Sequence, residues 1–352
     1  MKRVLFVASV VGVVLSLNYQ NRLVRAALTL SRDAQGQRAG RHGRIVSAVG
    51  LTQVSGYPAR VHILLYVPDG FDEHAIASEA LVRAGAQELG PAMQPQFAVT
   101  GFRWRRFLDD NPGNDFVLQS YNPTGQPANH NLYDAFSFFD ALRNAQTTWN
   151  GIETSTFKLR FGGLTSRCPS MFSQCPGGFQ LDGFNDVGWL DLGLSVSPFA
   201  LAITSTAFET ATGFIVESDI ALSPKWEWFT GEPPAPPPLV CAAPGSEPPP
   251  PPEGDPPPPP EGDPPPPPSD HDPPPPPAFD FETVVLHEDG HLAGLDHSLE
   301  CKAVMFAFLA PFQVKRALTA DDPAGISVLY PLEFVPLPFE PPRPHEYWNL
   351  FR

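Results

Sequence analysis

The sequence predicts an α+β fold, on three observations. Short β-branched and apolar runs recur between turn signals, as in RVHILLYV (60–67), LAITSTAF (201–208) and GFIVESDIAL (213–222). Two longer segments, 72–89 and 131–149, carry apolar residues at helical spacing. A third, TVVLHEDGHLAGLDH (283–297), surrounds a polar motif with apolar residues, as a buried helix requires. The 352 residues, 42% of them hydrophobic, can form one large domain or two modest ones. A formal charge of −15 argues against a nucleic-acid or anionic-lipid partner held by net field.

The N-terminus, MKRVLFVASVVGVVLSL, places Lys2 and Arg3 before an apolar run from Leu5 to Leu17. That run is short for a membrane span and suits a signal peptide over 1–17, with an uncleaved anchor as the alternative. It predicts a secreted, extracellular or periplasmic protein with no stable membrane span after processing. Residues 18 to about 45 are an Arg-rich leader. The strand 60–67, a Pro68-Asp69-Gly70 turn and the amphipathic helix 72–89 follow, with Asp72 at its start. This unit, 18–95, is either a propeptide or an extension of the main domain. Its His62 and His74 read as ordinary structural or surface residues.

The main domain is expected over 96–332. Strand material at 97–107 and 116–121 precedes the helix 131–149, whose stripe includes Leu132, Phe136, Phe139, Leu142 and Trp149. FKLRF (157–161) is a further strand, 162–182 a Gly, Ser and Cys-rich loop, and Asp186 to Trp189 leads into a turn. The strand 213–222 lies near the motif helix and is placed to hold an extended peptide by its backbone. Its Glu217 and Asp219 read either as solvated edge-strand charges or as ligands of a structural Ca²⁺. Four cysteines in an exported chain suggest disulfides; of three pairings, Cys168–Cys175 and Cys241–Cys301 are favoured. Residues 233–277 form a proline-rich insertion that twice repeats PPPPPEGD. Each five-proline block is a polyproline II rod about 15 Å long, with no apolar face to bury. In LTADDPAGISVLY (318–330), Thr319 is the expected helix cap with Asp321 and Asp322 in the first turn. Residues 333–352 are a Pro-rich tail.

The segment 283–297 carries the chemistry. His287 and His291, four apart, share one helical face, and Glu288 sits beside them. Asp280 is placed to cap the helix and Gly294 to end it with a positive φ, turning the chain so that His297 comes round as a third nitrogen. Three imidazoles and one open position describe a catalytic Zn²⁺ site rather than a closed structural one.

HEDGHLAGLDHS, with Ser298 after the third histidine, resembles the metal motif of metzincin zinc peptidases, and of the matrixin-like ones among them. AVMF, with Met305 eight residues after His297, resembles the matrixin Met-turn, and LTADDPAGISVLY the closing helix. DALRNAQTTWN, FKLRF and IVESDIAL are similar to the first helix, second strand and fourth strand of such domains. The resemblance covers about residues 97–332 apart from the proline tract. It implies a mixed twisted β-sheet packed with an N-terminal helix, a zinc-binding helix, a Met-turn and a C-terminal helix. It further implies a metalloendopeptidase acting on protein or peptide substrates, with Zn²⁺ on His287, His291 and His297, Glu288 as general base and Met305 as the floor under the metal. A matrixin-type cysteine switch is not found; Cys168 lies in surroundings that do not resemble one. A second zinc site and calcium ligands are unassigned, and nothing indicates an oligomeric state. Two alternatives stay open: a catalytically silent binding module using the proline tract as a ligand, and a zinc hydrolase of non-peptide amides.

Overall fold

The computed structural model describes residues 43–88, 99–105, 116–130, 137–232, 277–307 and 309–332. The expected signal peptide, the leader to residue 42, the proline tract to residue 276, Cys241 and the tail 333–352 lie outside the described residues.

The chain enters as a hairpin of two long strands, β1 (Gly43–Val54) and β2 (Tyr57–Pro68). Ser55 and Gly56 join them, both at positive φ (50° and 83°), as a tight two-residue hairpin turn demands. The Pro68–Gly70 segment is a turn, with Gly70 at φ 90°. Helix α1 (Glu73–Arg83) is capped by Asp72, whose side chain accepts the Ala75 N–H. It is shorter than the expected 72–89, because Gly85 takes a positive φ and the chain continues as β3 (Gln87–Glu88) against β1.

Of the expected strand at 97–107, only β4 (Arg103–Trp104) is extended among the described residues. Next come β5 (Val117–Asn122), β6 (Asn129–His130) and helix α2 (Phe138–Asn150), which Ser137 caps. Strand β7 (Leu159–Leu164) runs into what reads as loop. The segment read as leading into a turn is itself a buried strand, β8 (Asp186–Trp189), followed by the one-turn helix α3 (Leu192–Ser195). The Cys168–Cys175 disulfide forms as expected. Cys301 is also disulfide-bonded. Strands β9 (Ala200–Phe208) and β10 (Phe214–Leu222) match the reading closely, and β11 (Glu227–Phe229) and β12 (Ala278–Asp280) follow. The chain then forms helices α4 (Phe281–Ala293) and α5 (Asp321–Leu329). Thr319 does not cap α5. Asp322 instead reaches back to accept the Thr319 N–H (2.9 Å) and hydroxyl (3.2 Å).

Nine strands make one mixed sheet in the order β3-β1-β2-β9-β10-β8-β5-β7, with β4 beside β10. Strands β5, β7, β8 and β10 pair in parallel, whereas β9 is antiparallel to both β10 and β2. Strand β10 is therefore interior, and Glu217 and Asp219 are buried rather than solvated on an edge. A small parallel sheet of β12, β11 and β6 adjoins α4 in sequence.

The larger core lies among α2, α4, α5 and the sheet, with Trp149, Trp189, Trp228, Phe281 and Tyr330 buried in it. A second core joins Val61, Ile63 and Leu65 of β2 to Ile76, Ala80 and Leu81 of α1 and to Phe199 and Ile203. The two faces of β2 thus serve different purposes. The odd-numbered residues are apolar and packed, which leaves the even-numbered Arg60, His62 and Leu64 to face the other way.

Candidate metal centre

Helix α4 is buried along its whole length, so its position is set by packing and not by surface charge. Asp280 caps it through the Thr283 N–H (3.0 Å) and is itself paired with Arg316. Trp149 of α2 donates its indole N–H to Leu286 O (2.9 Å), and Trp104 donates to Leu292 O (2.9 Å). Gln119 of β5 donates to the carboxylate of Asp289 (2.7 Å). The helix ends at Gly294, φ 100°, where any Cβ would strike the carbonyl of Phe102. That turn delivers His297.

His287 and His291 bring their Nε2 atoms to 3.1 Å of one another. Their Nδ1 atoms contact carbonyl oxygens, His287 with Val304 O (2.8 Å) and His291 with Leu295 O (3.0 Å). The proton therefore belongs on Nδ1, and both Nε2 lone pairs point inward. Two acceptors at 3.1 Å with no hydrogen between them call for a cation. His297 joins them from the loop after Gly294.

A fourth imidazole is present. His62 of β2, read from sequence as an ordinary structural or surface residue, lies with its Nε2 3.0 Å from that of His297. The ligand atoms of His62, His287, His291 and His297 all fall within 4.8 Å of one another. Nitrogens around a tetrahedral zinc at about 2.0–2.1 Å stand about 3.3 Å apart, so the donor set fits a single ion. Ser47 of β1 sits beside it, its hydroxyl 2.6 Å from His62 Nε2 and 3.0 Å from His297 Nε2.

Burial, followed by mutual repulsion, keeps these rings neutral. His287 and His297 are each pushed down to about 3, the first mainly by burial and the second by burial and His62. His62 and His291 are likewise lowered well below the usual range by burial. Neutral imidazole is the ligand form. Glu288 is fully buried, and burial raises it to about 7 against the opposing pull of its neighbours. Its Oε2 accepts from Thr204 of β9 and from His62 Nδ1 (3.1 Å). Its Oε1 has no hydrogen-bond partner in the protein. Asp296 goes the other way. Although burial opposes ionisation, Arg60 of β2, 2.6 Å away, and the nearby histidines hold it at about 2.

Met305 packs directly beneath the helix. Any side chain at Gly290 would collide with its sulfur, so the glycine between Glu288 and His291 is what lets the methionine approach. Asp322 of α5 accepts the N–H groups of Val304 and Met305 (both 3.1 Å), and Met305 O accepts the Ser298 N–H (2.8 Å). The loop carrying His297 is thereby tied to the methionine turn.

The structure thus brings together His287, Glu288, His291, His297 and Met305. Sequence reading missed His62. The available signal was a lone histidine in an apolar strand, two residues after an arginine, and nothing in the chain order links it to a motif more than two hundred residues away. Glu217 and Asp219 lie elsewhere, on β10, and their oxygens are met by protein donors: the Ser170 hydroxyl (3.2 Å) and the Gly183 N–H (2.6 Å) for Glu217, and the Asp186 (2.8 Å) and Met171 (3.1 Å) N–H groups for Asp219.

Residues 198–331 match the Matrixin family model. Over 53 residues, 15% of the chain, the sequence is 51% identical to Metalloendoproteinase 1-MMP of Arabidopsis thaliana, covering 15% of that protein. Over the same length it is 47% identical to Metalloendoproteinase 1 of Glycine max, 17% of which is covered, and 43% identical to Metalloendoproteinase 4-MMP of Arabidopsis thaliana, 16% covered. The aligned part is thus about a sixth of the length of these relatives. No helix among the described residues is long and apolar enough to cross a membrane.

Proposed function

With residues 198–331 a matrixin-like metzincin segment, we propose that the chain is an exported zinc endopeptidase. The observation that carries this is the convergence of His287, His291 and His297, all neutral, on one point beside a buried carboxylate with a free oxygen. These three residues hold the Zn²⁺. When bound, the metal lowers the pKa of a coordinated water and polarises the scissile carbonyl.

The remaining work falls to the chain. Glu288 is held on Oε2 by Thr204 of β9 and leaves Oε1 to take a proton and pass it to the departing amine nitrogen. Its burial-raised pKa near 7 suits a group that must both accept and release a proton. Met305 is the floor of the site and not a ligand. Strand β10, the strand expected to hold an extended peptide, is interior; β9, next to Glu288 through Thr204, would offer its backbone to a peptide only along the side that β2 now occupies. Export rests on the basic and apolar N-terminus.

The test is cleavage of a denatured protein by the zinc-loaded chain, with and without chelator, compared with Glu288→Ala. Chelator-sensitive cleavage is expected, reduced by about 10²–10⁴-fold in the variant while its zinc content stays the same. Full activity in Glu288→Ala overturns the mechanism.

A further inference from the structure

We propose that His62 is a fourth protein ligand of the metal, and that the β1–β2 hairpin carrying it is a built-in occupant of the peptide-binding cleft. This rests on the zinc reading above. His62 lies outside the matched segment 198–331, so nothing in the family match assigns it.

Three independent features of β2 point the same way. The first is donor geometry: the Nδ1 of His62 is turned to Glu288, which leaves its Nε2 as an acceptor, 3.0 Å from His297 Nε2 and 2.6 Å from the Ser47 hydroxyl, and that one hydroxyl, also 3.0 Å from His297 Nε2, can donate to only one of the two. The second is pairing. Strand β2 runs antiparallel along β9, with His62 opposite Thr204, while the other side of β9 is taken by β10. No backbone edge of β9 is left for a peptide in trans. The third is the face that β2 turns to the site. Arg60 pairs with Asp296, His62 meets the histidines, and Leu64 lines the cavity beside His287 together with Val284, Val304, Phe306 and Leu309. A bound peptide with one residue at the metal would place its next-but-one residue in that same adjacent pocket. Strand β1 closes the far side, its Ile45 N–H donating to Leu309 O (3.3 Å).

Zinc held by four protein nitrogens is a closed, structural type of site with no position for water. With the hairpin seated the chain is then latent, and the cleavage expected of the full chain comes from the fraction in which β2 has left β9. A thiolate block is not available here from Cys168 or Cys175, which are bonded to each other.

The experiment uses the full chain loaded with Co²⁺, whose visible spectrum reports coordination, and azide as the probe of an open position. Azide is expected to leave the parent spectrum unchanged and to shift it in His62→Ala and His62→Asn. If the His62–metal bond is what seats the hairpin in more than about nine molecules in ten, both variants cleave a denatured protein at least about tenfold faster than the parent. An azide response in the parent equal to that of the variants overturns the proposal, as does, where the parent cleaves at all, cleavage that is unchanged or slower in both variants. Melting curves of the two variants identify a folding failure, and the asparagine variant, closest in size and polarity, then decides. Should the variants open the cobalt site while neither they nor the parent cleave any peptide, the endopeptidase reading fails and the fourth ligand stands.

Discussion

Two buried polar clusters sit in the same sheet and solve their electrostatics in opposite ways. Around β8 and β10, Asp186, Glu217 and Asp219 are buried carboxylates, and burial raises all three, Asp219 most strongly. Each oxygen is nonetheless met by a protein donor: backbone N–H groups and a hydroxyl for Glu217 and Asp219, the fork of Arg167 (2.8 and 2.9 Å) for Asp186. Around α4 and β2, four neutral imidazoles aim acceptors at one another beside a single hydroxyl, that of Ser47, and Glu288 keeps an oxygen unmet. The first cluster is complete as protein. The second is complete only with a cation. Acidic residues in a strand thus say little about metal binding until their donors are counted, whereas converging acceptors that outnumber their donors say a great deal.

The contrast can be broken most forcefully by removing metal. Stripping zinc should destabilise the chain by about 4 kcal/mol relative to protein in zinc at a thousandfold its Kd, while adding calcium to the stripped chain should leave Tm where it is. Equal melting of zinc-loaded and stripped protein would sink the reading of the histidine cluster, and a calcium-induced rise would sink that of the carboxylates. Gly290→Ala should cost about 1–3 kcal/mol by forcing Met305 away from α4, and should weaken zinc retention in a competition with a chelating dye. In the other cluster, Asp219→Asn turns an amide N–H₂ towards a backbone N–H. That should cost about 1–3 kcal/mol in denaturant unfolding, with zinc content unaffected.

The smallest effect concerns Glu282, at the start of α4, which faces Asn144 of α2 and Arg316, with Asp280 and Glu232 nearby. Burial raises it from 4.5 to about 6. Because the folded value is the higher one, its contribution to stability is fully present below about 4.5 and is lost as the pH climbs through about 6. Glu282→Gln should therefore melt higher relative to the parent at pH 7 than at pH 4, and a difference independent of pH would contradict the assignment.

What the sequence made legible was whatever is local. His287, Glu288, His291, Gly294 and His297 lie within eleven positions, and helix geometry plus one positive-φ glycine suffices to bring them together. Met305 and the strands β9 and β10 were similarly readable from short patterns. Strand β8, at four residues, is too short to show a period, and β1 interrupts its apolar pattern with Gly50, whose missing side chain makes room for Leu81 and Ala86. The edge-strand reading of β10 failed because order within a sheet is a non-local property. His62 is the extreme case. Its meaning depends on β2 pairing with β9, a contact about 140 positions away in the chain, and no periodicity encodes that partner.

The pairing of β2 with β9 also bears on solubility. Strand β9 is nine residues long and buried throughout, and its apolar face includes Ile203, which packs with Val61 and Ile63 of β2. Once the hairpin leaves, that strand becomes a long, flat edge of unpaired N–H and C=O groups, the kind that recruits another copy or another chain. An unmasked molecule without peptide should tend to self-associate, so a peptide bound along β9 would keep it monomeric as well as engage the site.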